Sequence, residues 1–149
     1  MADADRAQLD AQWRHLLSNG PMPGASQFLG FEFIDFDSEA GWCTARFTAT
    51  KAMLNPGGTV QGGFVTAMLD EVMSLSGAIP QPVMSWVPTL QLTVNFIRPI
   101  LPGPVLGRGE LVYTSKSTAH VQGQLTDENG KLLARGVAAC MPRPLPSAG

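Results

Sequence analysis

The sequence predicts an α+β fold: an antiparallel sheet wrapped around one long buried helix, with an amphipathic helix in front. Three observations carry this expectation. The segment from about Val60 to Ile79 is apolar nearly all round, as a helix enclosed on most sides must be. Segments on either side of it alternate apolar and polar residues, the pattern of half-buried strands. Turn chemistry separates these segments, at Glu39-Ala40-Gly41, Pro102-Gly103-Pro104 and Asn129-Gly130.

Taken in order, Leu9, Trp13, Leu16 and Leu17 recur at helical spacing, which predicts a helix over roughly residues 4–18. Asn19-Gly20-Pro21 breaks it. A strand is expected in FLGFEFIDFD, from Phe28 onward. A second follows in WCTARFTA, where Cys43, Ala45, Phe47 and Ala49 alternate with polar residues, so the two read as a hairpin. Asn55-Pro56-Gly57-Gly58 is a loop leading into the buried helix, and Pro80 and Pro82 end that helix. In TLQLTVNFIRP, Leu90, Leu92, Val94 and Phe96 are expected on one face, with Thr89, Gln91, Thr93 and Asn95 on the other. VLGRGELVYTS, AHVQGQLTD and KLLARGVAAC supply three more strands. Residues 1–24 are therefore read as helix and linker, 25–141 as one domain, and 142–149 as a Pro-rich tail expected to fray. One sheet around one helix leaves a sheet face and two edges uncovered, so a homo-oligomer is expected, a dimer and then a dimer of dimers.

Charge narrows the function classes. Only 15% of residues are charged, the net charge is -2, and the 10 basic residues are scattered, which argues against a nucleic-acid surface. The start, MADADRAQLDAQWRHLL, has no apolar signal-like stretch, and no apolar run reaches the roughly 20 residues that span a bilayer. Cys43 and Cys140 lack metal or redox spacing and read as reduced, buried thiols, so a cytoplasmic location is expected. His15 and His120 have no third ligand nearby, and no metal is expected.

The informative stretch is NPGGTVQGGFVTAMLDEV, residues 55–72. Gly62 and Gly63 open the buried helix, where unpaired first-turn N–H groups carry partial positive charge. A carbonyl oxygen placed against them would be polarised, as in an oxyanion hole. Asp70 and Glu71 lie in the middle of an otherwise apolar helix, where a carboxylate is costly to bury and is enriched at functional sites. Periodicity alone does not choose between the two. Gly62 and Asp70 are eight residues apart, or roughly 12 Å of helix, so one bound carbonyl cannot touch both within a chain. An antiparallel partner helix would have to supply one of them.

The spacing resembles that of the hot-dog thioesterases of the phenylacetyl-CoA (PaaI) type. Their signature is an Asn, then His-Gly-Gly six residues on, then an Asp nine residues past the His; here Asn55, Gln61-Gly62-Gly63 and Asp70 stand at those intervals. Thr89 through Arg98-Pro99 looks like the family's later strand, and the resemblance covers about residues 25–140. It implies hydrolysis of an acyl-CoA with a small, medium-chain or aryl acyl group. Asp70 would activate water or attack the thioester, and Gly62 or Gly63 of the facing subunit would bind the carbonyl oxygen. Asn55 would orient water or substrate, and Thr89 would help to hold the water. Gln61 stands where the signature has His; it keeps a donor and an acceptor but does not titrate. No separate cofactor is implied, since coenzyme A is part of the substrate. Arg98 and Lys116 are candidates for its phosphates, with Arg108 and Arg135 as further cations. Two other readings share the fold: a non-catalytic acyl-CoA sensor, and a thioester hydratase or dehydratase, which would want a His near the helix.

Overall fold

The structure, a computed structural model, describes residues 3–145. Helix α1 (Asp3–Asn19) is followed by a short α2 (Gly24–Phe28), then strands β1 (Glu32–Asp37) and β2 (Trp42–Ala49). A 3-10 turn (Lys51–Met53) leads to the central helix α3 (Gly62–Ala78). The remaining strands are β3 (Ser85–Trp86), β4 (Thr89–Phe96), β5 (Gly103–Thr114), β6 (Ala119–Thr126), β7 (Leu132–Cys140) and β8 (Arg143–Pro144). Six of these form one antiparallel sheet in the order β1-β2-β5-β6-β7-β4. The α+β class, the N-terminal helix and the sheet around a central helix are all as expected.

Met68, Leu69, Val72 and Met73 of α3 are wholly buried against the sheet, among Phe47, Cys43, Val121 and Leu125. Each such side chain contributes about 1.5–3 kcal/mol by leaving water. The helix sits low on the sheet because β5 carries glycine beneath it. A Cβ on Gly109 would lie 2.1 Å from the Val72 carbonyl oxygen. The closing hairpin turns at Gly130, whose φ of +78° suits glycine, and Asp127 Oδ1 accepts the Asn129 and Lys131 N–H groups.

Three expectations need correction. Phe28 does not start a strand: it ends α2, set up by Pro23 and tied to β2 by Thr48 N–H donating to the Leu29 carbonyl. The expected alternation in β4 is broken by a bulge. Thr89 pairs with Cys140 and Gln91 with Ala139, which leaves Leu90 as the extra residue. Thr89 therefore shares the helix-facing side with Leu92 and Val94, and Leu90 turns outward, 57% exposed. The tail expected to fray is tied down as far as Leu145: Arg143–Pro144 pair with Ser85–Trp86, and Leu145 N–H donates to the Met84 carbonyl. The rest of that segment, residues 146–149, lies outside the described residues.

The first helix is fastened at both ends. Arg6 donates to Asp10 and to the carbonyls of Ile79 and Gln81, placing a cation at the C-terminal end of α3, where the helix dipole favours one. Arg14 pairs with Asp35 at 2.8 Å and stacks over Phe36. Among the described residues, no helix is long and apolar enough to cross a membrane.

Candidate active site

Asp70 projects from the middle of α3 into a cavity of about 480 Å³ between α1, α2, α3 and β3. That size falls within the range typical of small-molecule sites. The walls are mostly apolar, with Trp13, Leu17, Phe31, Leu75 and Val87 prominent among them. Thr89 Oγ1 donates a 2.7 Å hydrogen bond to Asp70 Oδ1. The β4 bulge makes that contact possible, because regular alternation would have turned Thr89 away from the helix. Two of the residues singled out in the sequence are thus brought together, one on a helix and one on a strand.

Glu71 lines the same cavity, so the structure places both acids there. The Ser26 hydroxyl of α2 donates to Glu71 Oε1 at 2.8 Å. Burial pushes the Glu71 carboxyl above its usual range; the Ser26 hydrogen bond opposes this, and the neighbouring Asp70 charge adds to the rise. A carboxyl whose proton is held more tightly in the folded state favours folding most below its ordinary value near 4.5, and that contribution fades as pH climbs through the raised value. The expected result is that Glu71→Gln, which is neutral throughout, melts close to wild type at pH 4 and above it at pH 8. Thermal melts of the two proteins across that range check this; a wild type that is the more stable of the two at pH 8 would contradict it.

The helix start lies apart. Gln61 is the exposed N-cap residue of α3 and makes no side-chain capping bond, while its carbonyl accepts the Phe64 and Val65 N–H groups. The Gly62 and Gly63 N–H groups precede the first intrahelical acceptor, and Gly63 has open space where a side chain would stand. Gly62 packs against the Phe96 ring. Asn55, Gly62 and Arg98 line a second depression, of about 370 Å³, which does not include Asp70. Within one chain the two halves of the sequence-predicted constellation are therefore not brought together.

Asn55 is engaged in its own loop. Its Oδ1 accepts the Gly57 and Thr59 N–H groups and its Nδ2 donates to Thr59 Oγ1. Arg98 donates to the Leu132 carbonyl, and Lys116 lies in the exposed turn between β5 and β6. Arg108 is paired with Glu110 and stacked over Trp42, and with Arg135 it lines a groove on the outer face of the sheet. Among the described residues no three His, Cys, Asp or Glu side chains cluster as metal ligands. Cys43 and Cys140 are free and buried, and burial pushes the Cys43 thiol up to about 12.

Ser26, Trp86 and Leu145 line the cavity without having been singled out in the sequence, and Trp13, read there as a helix residue, lines it too. Trp13 is buried with its Nε1 unpaired among the described residues. Its helical spacing placed it on the apolar side of the first helix; no sequence signal distinguished a core residue from a cavity wall.

Comparison with known proteins gives the family and the fold. The profile of the thioesterase superfamily matches residues 57–134. A protein of Thermoplasma acidophilum carrying an inferred esterase name is 31% identical over 116 residues, spanning 78% of this chain and 86% of that one. A solved structure from Ralstonia eutropha JMP134, described as an inferred thioesterase related to phenylacetic acid degradation, is 35% identical. It covers 87% of this chain and 98% of its own, with a TM-score of 0.81. A Streptococcus mutans protein solved with acetyl-CoA bound shares the fold at 19% identity, covering 76% of this chain and 89% of its own, with a TM-score of 0.69.

Proposed function

The chain belongs to the thioesterase superfamily, in the hot-dog fold and of the PaaI type, and from that premise we propose that it hydrolyses an acyl-CoA to free acid and CoA. The observation that carries this reading is Asp70, a carboxylate on the wall of an apolar cavity and oriented by Thr89 at 2.7 Å. Asp70 takes a proton from water as the water attacks the thioester carbon, or attacks that carbon itself to form an anhydride that a water then hydrolyses to the free acid, restoring the carboxylate. Thr89 fixes which carboxylate oxygen is free to act. The developing oxyanion is met by the Gly62 or Gly63 N–H groups of a facing subunit, whose helix runs antiparallel to α3. Collapse of the tetrahedral intermediate expels the CoA thiolate. Asn55 shapes the loop that presents the helix start, and Gln61 donates a neutral hydrogen bond near the carbonyl. Arg98 and Lys116 are the cations offered to the CoA phosphates.

The homo-oligomer belongs to the same proposal. It is supported by the separation of Asp70 from the helix start and by the open edge at β4, where Leu90 and Phe96 are exposed. The buried thiols and the absence of a long apolar helix among the described residues suit the cytoplasmic setting proposed with it.

Thiol release from short-chain, long-chain and aryl acyl-CoAs tests the reaction. Purified protein is expected to release CoA from at least one class, with the preferred chain matching the cavity. Tight binding of CoA esters without thiol release would instead make the chain a sensor.

A further inference from the structure

The cavity beside Asp70 has an uneven polar lining. Its two charged side chains among the described residues are both acidic, Asp70 and Glu71, with no Lys, Arg or His of those residues in the lining. Its remaining polar side-chain groups are neutral donors: the hydroxyls of Ser26, Ser74 and Ser85 and the indole N–H groups of Trp13 and Trp86. Arg6, on the helix that carries Trp13, is committed to Asp10 and to the carbonyls of Ile79 and Gln81. No ion pair among the described residues involves Glu71. The hydrogen bond that its side chain makes among the described residues comes from Ser26, which holds Oε1 and so fixes the direction of the carboxyl.

A hydrolytic site needs one carboxylate, and Thr89 already orients Asp70. The neighbour therefore calls for its own account. We propose that Glu71 is a specificity-determining residue that excludes acyl groups ending in a negative charge, so that the cavity admits uncharged acyl groups only. This rests on the cavity being the acyl subsite of the thioesterase reading. A second carboxylate entering the cavity would meet two like charges in an apolar surround with no cation to offset them. A methyl or phenyl terminus meets the same walls at no such cost. Selectivity then comes from repulsion built against the wrong ligand as well as from contact with the right one.

A purely structural role for Glu71, tying α2 to α3 through Ser26, makes a different prediction. Glu71→Gln keeps an oxygen to accept the Ser26 hydroxyl and removes only the charge, so a structural role would leave ligand preference unchanged.

The test compares hexanoyl-CoA with adipoyl-CoA, which match in chain length and differ by a terminal carboxylate. Both kcat/KM by thiol release and Kd by calorimetry are measured at pH 8 on wild type and Glu71→Gln, each shown to be folded by its melting curve. Wild type should favour hexanoyl-CoA by roughly 100-fold, the order expected for like charges brought within about 5 Å at a half-buried site. Glu71→Gln should narrow that ratio by about tenfold or more, since roughly half of the repulsion leaves with one of two charges. The same ratio in both proteins overturns the proposal. If the Kd ratio shifts on substitution while no thiol is released, Glu71 keeps this role and the hydrolytic reading fails.

Discussion

Replacing Asp70 with Asn is expected to lower kcat for acyl-CoA hydrolysis by about 10²–10⁴-fold, the range carried by a positioned acid or base. Asn retains an oxygen for the Thr89 hydroxyl, so the melting temperature should hardly move. A rate near that of wild type would remove Asp70 from the mechanism. The same variant also tests whether the site is shared. Gly63→Pro removes an N–H with no intrahelical acceptor, at a position with open space for the ring and within the first turn, where proline is tolerated. Each variant alone should be nearly inactive. Unfolded and refolded together, they should recover activity, because a mixed pair contains one site with both parts intact. No recovery in verified mixed oligomers would count against the shared site.

The second large effect is on stability. Gly109→Ala places a methyl group 2.1 Å from the Val72 carbonyl oxygen and 2.6 Å from its carbon, so helix and sheet must separate. Overpacking typically costs 1–3 kcal/mol, and a clash with backbone rather than a flexible side chain should reach about 3 kcal/mol or more. For a chain of this length that corresponds to a loss of roughly 10 °C in melting temperature. Gly63→Ala is the counterpart: the same methyl group meets nothing within 4 Å and should stabilise the helix, by up to about 1 kcal/mol. Thermal melts of the two variants beside wild type decide the matter, and a Gly109→Ala protein as stable as wild type would mean that this contact relaxes easily.

The elements most legible in the sequence were those whose signal is periodic and long. The α3 helix stood out because Phe64, Ala67 and Leu75 add apolar residues outside the stripe of Val65, Met68, Leu69, Val72 and Met73, leaving little wet face for a surface helix. The strands showed themselves by alternation, which β6 follows without a break from Ala119 to Leu125. Alternation also produced the error in β4. It assumes an unbroken register, and a single inserted residue, Leu90, reverses the phase of everything before it. Thr89 reached the site through its resemblance to a family pattern, while its alternation phase pointed the wrong way. The five-residue α2 is too short to set up a period, and β8 has only two residues, paired with a segment 57 positions upstream through Trp86 and Arg143. Such pairings are tertiary, and local patterns do not encode them. The Asp70 and Glu71 pair shows the same limit at the site. Both are acids on one helix, and what separates them is the hydroxyl each one meets, Thr89 from a strand and Ser26 from α2.

A cavity wall supplied by the first helix makes ligand choice the most evolvable property of this chain. Trp13, Leu16 and Leu17 line the cavity, whereas Arg6, Asp10 and Arg14 hold the helix in place through bonds to Ile79, Gln81, Ser38 and Asp35. Anchors and lining are thus different residues on one segment. Drift in the lining can reshape what fits while the anchors preserve the docking and the sheet preserves the chemistry. Chains with the same sheet and central helix could diverge in diet by exchanging some twenty residues at one end.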